Sequence, residues 1–242
     1  LKDPEFIAQL RAVQADVKIV VAFRMLPEMV WIMPPQGTIN VNTSLLPQYR
    51  GAAPINHAII NGETRSGVTT FLLQHEIDTG NILFAKEVEI ADTDNAGILH
   101  DKLMEAGAET LLRTVDALRE GSLNPTPQAT FEADADLKHA PKLFKEDCLI
   151  DWSQSTTQIY NKIRGLSPYP AAYTLLDGKV LKIYESRKEE AIDAPAGAFQ
   201  SDGKSKLSFA TADGSLALLT VQLEGKRRMQ IDEFLRGYRF EA

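Results

Sequence analysis

The stretch that decides the fold is Ile39-Asn40-Val41-Asn42-Thr43-Ser44-Leu45-Leu46-Pro47. Its first four residues predict a short β-strand, and the Thr-Ser pair and the proline that follow indicate where the strand ends. A β-branched apolar run from Ile19 to Phe23 predicts a neighbouring strand over residues 17–23. Because open α/β sheets bind ligands beyond the carboxyl ends of their strands, we expect a site at this edge of a parallel sheet.

The start of the chain predicts a sheet that extends further than these two strands. Leu1 is not a methionine, and the chain opens on a helix start, with Asp3 as N-cap and Pro4 at the first helical position. A parallel sheet this short would leave an edge bare. We therefore expect strands of the same sheet to precede Leu1.

The remainder of the first half predicts alternating helices and strands. Helices are expected at residues 54–61 and 93–120, and strands at residues 67–74 and 81–90. The longer helix carries Leu, Ile, Val and Met at helical spacing, which is typical of a core-facing stripe. It ends at Gly121, a residue type favoured after helix termini.

The C-terminal half has a different pattern, with short strands that are separated by turns. Asp177-Gly178 and Asp213-Gly214 each lie between two apolar runs and predict β-hairpins. Four or more short antiparallel strands favour a small barrel of the OB type. We place an α/β domain, Rossmann-like and N-terminally incomplete, at residues 1–125, a Pro- and Asp-rich linker at residues 126–141 and an OB-like barrel at residues 142–242.

Composition excludes several functional classes. The 242 residues include one cysteine, Cys148, and four histidines without close spacing, so neither a disulfide framework nor a metal site is expected. No apolar run is long enough to cross a bilayer and no signal peptide is present, which favours a soluble cytoplasmic protein. The sequence contains no nucleophile elbow, no dinucleotide fingerprint and no phosphate-binding loop, which argues against esterases, dehydrogenases and nucleoside triphosphatases.

Several motifs in one order carry a family resemblance. Besides the stretch at residues 39–47, the chain contains Arg50-Gly51-Ala52-Ala53-Pro54-Ile55, then Gly67-Val68-Thr69, Asp78-Thr79-Gly80 and Leu166-Ser167-Pro168-Tyr169-Pro170. Together these motifs resemble the 10-formyltetrahydrofolate-dependent formyltransferase family over almost the whole chain. The resemblance implies a Rossmann-like catalytic domain that lacks the family's N-terminal segment, followed by a barrel.

The resemblance also implies three catalytic positions. The family's asparagine matches Asn40 and its aspartate matches Asp78, whereas its histidine falls at Asn42, where this chain departs from the family. An asparagine amide can donate to an oxyanion and an aspartate can accept a proton. Asn42 can donate a hydrogen bond, but it cannot carry a proton or a charge, so reduced activity is expected. We predict that Asn40, Asn42 and Asp78 converge on one pocket.

The formyl donor implied by the resemblance is 10-formyltetrahydrofolate, bound without a metal. The segment that resembles the family's pterin cradle is Phe23-Arg24-Met25-Leu26, and the tetrahydrofolate contact loop is Ser44-Leu45-Leu46-Pro47. We expect these two segments to form the floor of the pocket. His75 and Ile77 would flank it.

The formyl acceptor implied is the amino group of initiator methionyl-tRNA, which serves translation initiation. The basic cluster Lys226-Arg227-Arg228 is the candidate tRNA contact, with a solvated face as the alternative reading. Neither DNA nor a membrane is an expected partner. Two other functions remain open, namely formyl transfer to an amino-sugar nucleotide, and a folate- or RNA-binding module with impaired catalysis.

Overall fold

The computed structural model describes residues 1–21, 25–76, 78–131 and 136–240. Short 3-10 helices occur at Gln128–Phe131 and Glu146–Cys148. The α-helices are α1 (Pro4–Ala12), α2 (Glu28–Trp31), α3 (Pro54–Ile60), α4 (Ala96–Glu120), α5 (Thr156–Leu166) and α6 (Ile231–Gly237). The strands are β1 (Lys18–Val21), β2 (Thr38–Asn42), β3 (Arg50–Gly51), β4 (Arg65–Leu72), β5 (Ile82–Glu89), β6 (His139–Ala140), β7 (Ala172–Leu176), β8 (Lys179–Glu189), β9 (Phe199–Ser201), β10 (Leu207–Ala210), β11 (Ser215–Leu223) and β12 (Met229–Gln230).

The chain divides into two compact units. The first contains Leu1–Pro54, Arg65–Glu89 and His100–Lys142, and the second contains Ile55–Thr64, Ile90–Leu99 and Leu143–Ala242. The predicted class, an α/β unit and an antiparallel C-terminal unit, is confirmed. The division into a domain, a linker at residues 126–141 and a second domain stays a prediction.

The sheet of the first unit has the order β1-β2-β4-β5. Strands β1 and β2 are parallel, but β2 and β4 are antiparallel, as are β4 and β5. The expectation of a parallel sheet is therefore wrong for β4 and β5. The connection at residues 73–81 is too short for the crossover that parallel neighbours need, so β4 and β5 form a hairpin.

Helix α4 covers one face of this sheet. Gly107 lets the helix approach closely, since a Cβ there would lie 3.5 Å from Cγ1 of Val41 and 3.9 Å from Cγ1 of Val68. Thr114 on α4 and Thr70 on β4 share a buried hydrogen bond of 2.8 Å. Because side chains alternate across a strand, Asn40 and Asn42 lie on the face opposite Val41 and α4.

The segment after α4 belongs to the first unit and is hydrogen-bonded to its strands. Thr126 and Ile82 exchange two backbone hydrogen bonds of 2.8 Å, and β6 pairs in parallel with β3. These contacts fix the chain on either side of Gln128, a buried residue that contacts the candidate site.

The second unit contains a six-stranded antiparallel sheet. Its order is β7-β8-β11-β10-β9, and β12 pairs with β11. The turn between β7 and β8 has positive φ at both Asp177 and Gly178, the conformation that the hairpin signal requires. Helix α5 begins with a capping box of Ser155 and Gln158 and packs Ile159 and Ile163 into the core of the curled sheet.

Within the described residues, no helix is both long and apolar enough to pass through a bilayer.

Candidate active site

A cavity of about 360 Å³ lies in the first unit and contains two of the predicted catalytic residues, Asn40 and Asp78. The apolar part of its wall is formed by Val20, Met25, Leu26, Pro27, Trp31 and Leu73. The polar part is formed by Glu28, Asn40, Gln74, His75, Glu76 and Asp78. Such a mixture of apolar walls and few polar groups is typical of small-molecule sites.

Asn40 is the third residue of β2 and faces away from α4. Its Oδ1 atom is buried and has no hydrogen-bond partner among the residues that the structure describes. A buried polar group without a partner costs about 1–3 kcal/mol, which a bound ligand can recover. The carboxamide is therefore a group that a ligand in the cavity would complete.

Asp78 lies in the loop between β4 and β5, in a left-handed backbone conformation with φ of 57°. Its Oδ2 atom accepts a hydrogen bond from the Gly51 backbone N–H at 3.4 Å. Burial raises the pKa of the Asp78 carboxyl above its ordinary value, although the Gly51 hydrogen bond and the charge of Arg50 oppose that rise. A carboxylate with a raised pKa is a better proton acceptor near neutral pH.

Two residues that the motifs did not mark as part of the site hold the Asp78 loop. Gln128 donates from Nε2 to the carbonyl oxygens of Asp78 at 2.7 Å and Gly80 at 2.8 Å. Arg50 donates from Nε to the Asp78 carbonyl oxygen at 3.2 Å and to Gln128 Oε1 at 3.1 Å. Arg50 belongs to the Arg-Gly-Ala-Ala-Pro-Ile motif, which does not indicate this role, and no local pattern distinguishes Gln128 in its Pro-rich segment.

The predicted pterin cradle is partly placed. Met25 and Leu26 line the cavity, whereas Phe23 and Arg24 lie outside the described residues. The predicted flanking residue His75 also lines it; the ring packs edge-on against Trp31 with centroids 5.3 Å apart. The other, Ile77, lies outside the described residues.

Residues 44–47 are not among the residues that line this cavity, and the expectation that they form its floor stays a prediction. They pack on β4 instead: the Leu46 backbone N–H donates to Thr69 Oγ1 at 3.1 Å, and that hydroxyl donates to the Ser44 carbonyl oxygen at 2.7 Å. Ser44 and Leu46 are accordingly buried.

Asn42 does not line the cavity either. Its Nδ2 atom donates to Ser44 Oγ at 3.2 Å, which turns the carboxamide toward its own loop. In the structure, Asn40 and Asp78 therefore line one cavity and Asn42 does not, while the catalytic roles of all three stay predictions. The physical reason is that the short amide side chain has a nearby local partner.

The basic cluster at residues 226–228 lies in the second unit, after β11. Arg227 is paired with Glu233, and the Arg228 guanidinium lies 4.1 Å from the centroid of the Tyr184 ring. No group of three or more potential metal ligands occurs in the part of the chain that the structure describes.

The arrangement suits acyl-group chemistry. The Asn40 carboxamide offers both a donor and an acceptor beside Asp78, whose carboxylate can take a proton. The profile of the formyl transferase family matches residues 1–115, and that of the formyl transferase C-terminal domain matches residues 142–239. The chain belongs to this family.

Two relatives with more than half of their aligned residues identical to this chain are methionyl-tRNA formyltransferases. The chain is 52% identical to the methionyl-tRNA formyltransferase of Bacteroides fragilis over 98% of its own length and 75% of the relative. It is 56% identical to the methionyl-tRNA formyltransferase of Phocaeicola vulgatus over 93% of its length and 72% of the relative.

Solved structures support the fold at lower identity. HypX from Aquifex aeolicus in complex with tetrahydrofolic acid is 22% identical, with a TM-score of 0.73 over 99% of this chain and 42% of HypX. The sugar 3N-formyl transferase WlaRD is 20% identical, with a TM-score of 0.65 over 86% of this chain and 73% of that protein.

Proposed function

We propose that this chain transfers a formyl group from 10-formyltetrahydrofolate to the amino group of initiator methionyl-tRNA. The observation that carries the proposal is an identity of about one half, over nearly the whole chain, to relatives named methionyl-tRNA formyltransferases. The cavity supports it, because both Asn40 and Asp78, the positions that match the family's asparagine and aspartate, line it.

The cavity fits a folate donor. Its apolar wall, with Leu26 and Trp31, suits a pterin ring, and Asn40 Oδ1, which has no partner among the described residues, could accept a hydrogen bond from the ligand. We assign Met25, Leu26 and His75 to this wall. Residues 44–47 and Asn42 would contact the donor only if their hydrogen bonds to Thr69 and Ser44 were replaced by hydrogen bonds to the donor.

In the proposed reaction the amine attacks the formyl carbon, and the carbonyl oxygen gains negative charge. The Asn40 amide donates to that oxygen, and Asp78 accepts a proton from the attacking nitrogen, directly or through water. The bond between the formyl carbon and N10 then breaks, and N10 leaves as an amine after gaining a proton. Burial of Asp78 raises its pKa, which favours the proton transfer.

The partners proposed are methionyl-tRNA and folate, and the place of action is the cytoplasm, where translation begins. Lys226, Arg227 and Arg228 are assigned to phosphates of the tRNA. Arg227 would exchange its Glu233 partner for a phosphate on binding.

A second function is favoured by one observation. Asn42 replaces the expected histidine and turns toward Ser44, so a folate- or RNA-binding module with impaired catalysis is the alternative. It predicts binding of both ligands without turnover.

The test is a formyl-transfer assay on the intact protein with 10-formyltetrahydrofolate. Initiator methionyl-tRNA and a deoxythymidine-diphosphate amino sugar are offered as acceptors in separate reactions. We expect formylmethionyl-tRNA and no formylated sugar. Formylation of the sugar alone, or binding of tRNA and folate without any product, would overturn the proposal.

A further inference from the structure

The side chain of Gln128 forms four hydrogen bonds, two of them to carbonyl groups of the Asp78 loop. It is 3% exposed and begins the 3-10 helix Gln128–Phe131. Both hydrogens of its Nε2 atom are used, one by the carbonyl oxygen of Asp78 and the other by that of Gly80. Its Oε1 atom accepts from Nε and Nη2 of Arg50.

These hydrogen bonds lie in the loop between β4 and β5, outside the paired residues of the two strands. Asp78 has a positive φ, and Gly80 packs so closely that a Cβ there would be 1.6 Å from the Leu72 carbonyl oxygen. Carbonyl groups in such a turn need partners from outside it. Gln128 supplies two, and Arg50 adds a third donor to Asp78.

Gln128 and Arg50 are themselves held by backbone pairing. Thr126, two residues before Gln128, is bonded to Ile82 at the start of β5. Arg50 lies in β3, which pairs with β6, and the adjacent Gly51 N–H reaches the Asp78 carboxylate. The Asp78 loop is therefore bound by two side chains whose own backbone segments are fixed by hydrogen bonds to strands.

We infer that Gln128 and Arg50 form a clamp that sets the direction of the Asp78 carboxylate in the cavity. They are positioning residues, because they act through Asp78. The inference rests on the proposed function for its effect on rate, but the clamp itself is a property of the free protein.

The first experiment substitutes Gln128 in the intact protein. Gln128→Met keeps the volume and removes all four hydrogen bonds, whereas Gln128→Glu keeps the acceptor for Arg50 and loses both donors. The control is Thr114→Val, which removes a buried hydroxyl of the same unit that bonds Thr70 and not the loop. We measure kcat, KM for 10-formyltetrahydrofolate and the melting temperature.

Both Gln128 variants should lower kcat about 10-fold to 100-fold with KM changed less than about threefold, because a misplaced catalytic group slows the chemical step. Thr114→Val should lower the melting temperature and leave kcat unchanged. If Gln128→Met behaves like Thr114→Val, Gln128 is merely structural and the inference is wrong.

The second experiment needs no activity. The titration of the Asp78 carboxyl is followed by ¹³C NMR in the free wild-type protein, Gln128→Met, Arg50→Met and Arg50→Lys. Arg50→Met should move the titration to higher pH because it removes a charge that lowers the pKa, and Arg50→Lys should restore most of the shift. Gln128→Met should also displace the titration.

These two experiments separate the clamp from the proposed function. A wild-type protein without formyl transfer would contradict the function, while altered Asp78 titrations in the variants would still support the clamp. An Asp78 titration that is the same in all four proteins would overturn the clamp, whatever the activity.

Discussion

At the scale of single residues, the site combines groups that face the cavity with one that does not. Asn40 and Asp78 line it, while Asn42 bonds to Ser44. Asn40 and Asn42 are two positions apart on β2 and share a face of the sheet. A longer side chain at position 42 could therefore approach the cavity without a change in the strand.

Substitution Asn42→His tests position 42. An imidazole reaches further than an amide and can carry charge, and charge-assisted hydrogen bonds are about twice as strong as neutral ones. We expect kcat to rise about 10-fold to 10³-fold, with a new titration near pH 6–7. Asn42→Gln, which lengthens the amide without adding a titratable group, is the control.

An unchanged kcat and pH profile in Asn42→His, together with a silent His75→Ala, would show that neither position assists the reaction. His75 is included because it lines the cavity and lies three residues before Asp78 in the sequence. If His75 already assists, the gain from Asn42→His should be smaller.

Asp78→Asn tests the cost of burying the carboxylate. The folded-state pKa is raised, so the native protein binds the proton more tightly than the unfolded chain does. Stability contributed by this group therefore falls as pH rises through the two pKa values. We expect Asp78→Asn to melt higher than wild type at pH 7, and asparagine also tolerates the positive φ.

The gain should disappear below the ordinary aspartate value near 3.8, where both states of the wild type are protonated. Melting curves at several pH values measure it. Glu76→Gln, an exposed carboxyl on the same cavity, is the control and should change little. A lower melting temperature for Asp78→Asn at pH 7 would contradict this explanation.

At the scale of secondary-structure elements, patterns in the sequence predicted which segments are strands but not how they run. The strand at residues 67–74 corresponds to β4, and the one at residues 81–90 to β5. Apolar alternation is the same in both directions, so the antiparallel pairing could not be read from it. Only the length of the connection at residues 73–81 contains that information.

For the site residues, too, the sequence predicts only part of what the structure shows. Asn40 and Asp78 belong to motifs that predict them, whereas Gln128 contacts the site only because its segment pairs with the start of β5. The hydrogen bond from Asn42 to Ser44 likewise depends on the exact exit of the chain from β2. Sequence patterns carry no information on such local exchanges of partners.

Gly80→Ala tests the close packing of the β4–β5 loop. A Cβ would lie 1.6 Å from the Leu72 carbonyl oxygen, so backbone would have to move. Overpacking of this kind costs about 1–3 kcal/mol, and the shift should also slow formyl transfer. Gly237→Ala is the matched control, because nothing lies within 4 Å of its Cβ. Chemical denaturation curves check both, and equal stabilities would contradict the packing described.

At the scale of the whole molecule, net charge limits where a polyanion such as tRNA can bind. The chain has a formal net charge of −7, so contacts to a polyanion must come from local clusters. Among the basic residues at positions 226–228, Arg227 and Arg228 already have partners in Glu233 and Tyr184. Binding of a tRNA phosphate by Arg227 would therefore compete with its ion pair to Glu233.

Replacement of Lys226, Arg227 and Arg228 by alanine tests the cluster. Each phosphate contact contributes about 0.9 to the slope of log K against log salt, so the slope should flatten by up to about three and tRNA affinity should fall. The control replaces Lys145, Lys179 and Lys204, three exposed lysines of the same unit. Equal effects of the two triple substitutions would remove the specific role of the cluster.

The central claim is that Asn40 and Asp78 act together on one formyl group in one cavity. The most direct test is a double-mutant cycle of Asn40→Ala and Asp78→Asn, followed by the single-turnover rate of formyl transfer to methionyl-tRNA. Each substitution should lower the rate about 10²-fold to 10³-fold, and the double variant should be about as slow as the slower single variant, because groups that act as a unit are not additive. A double variant whose loss equals the product of the two single losses, or a single variant with the wild-type rate, would contradict the account.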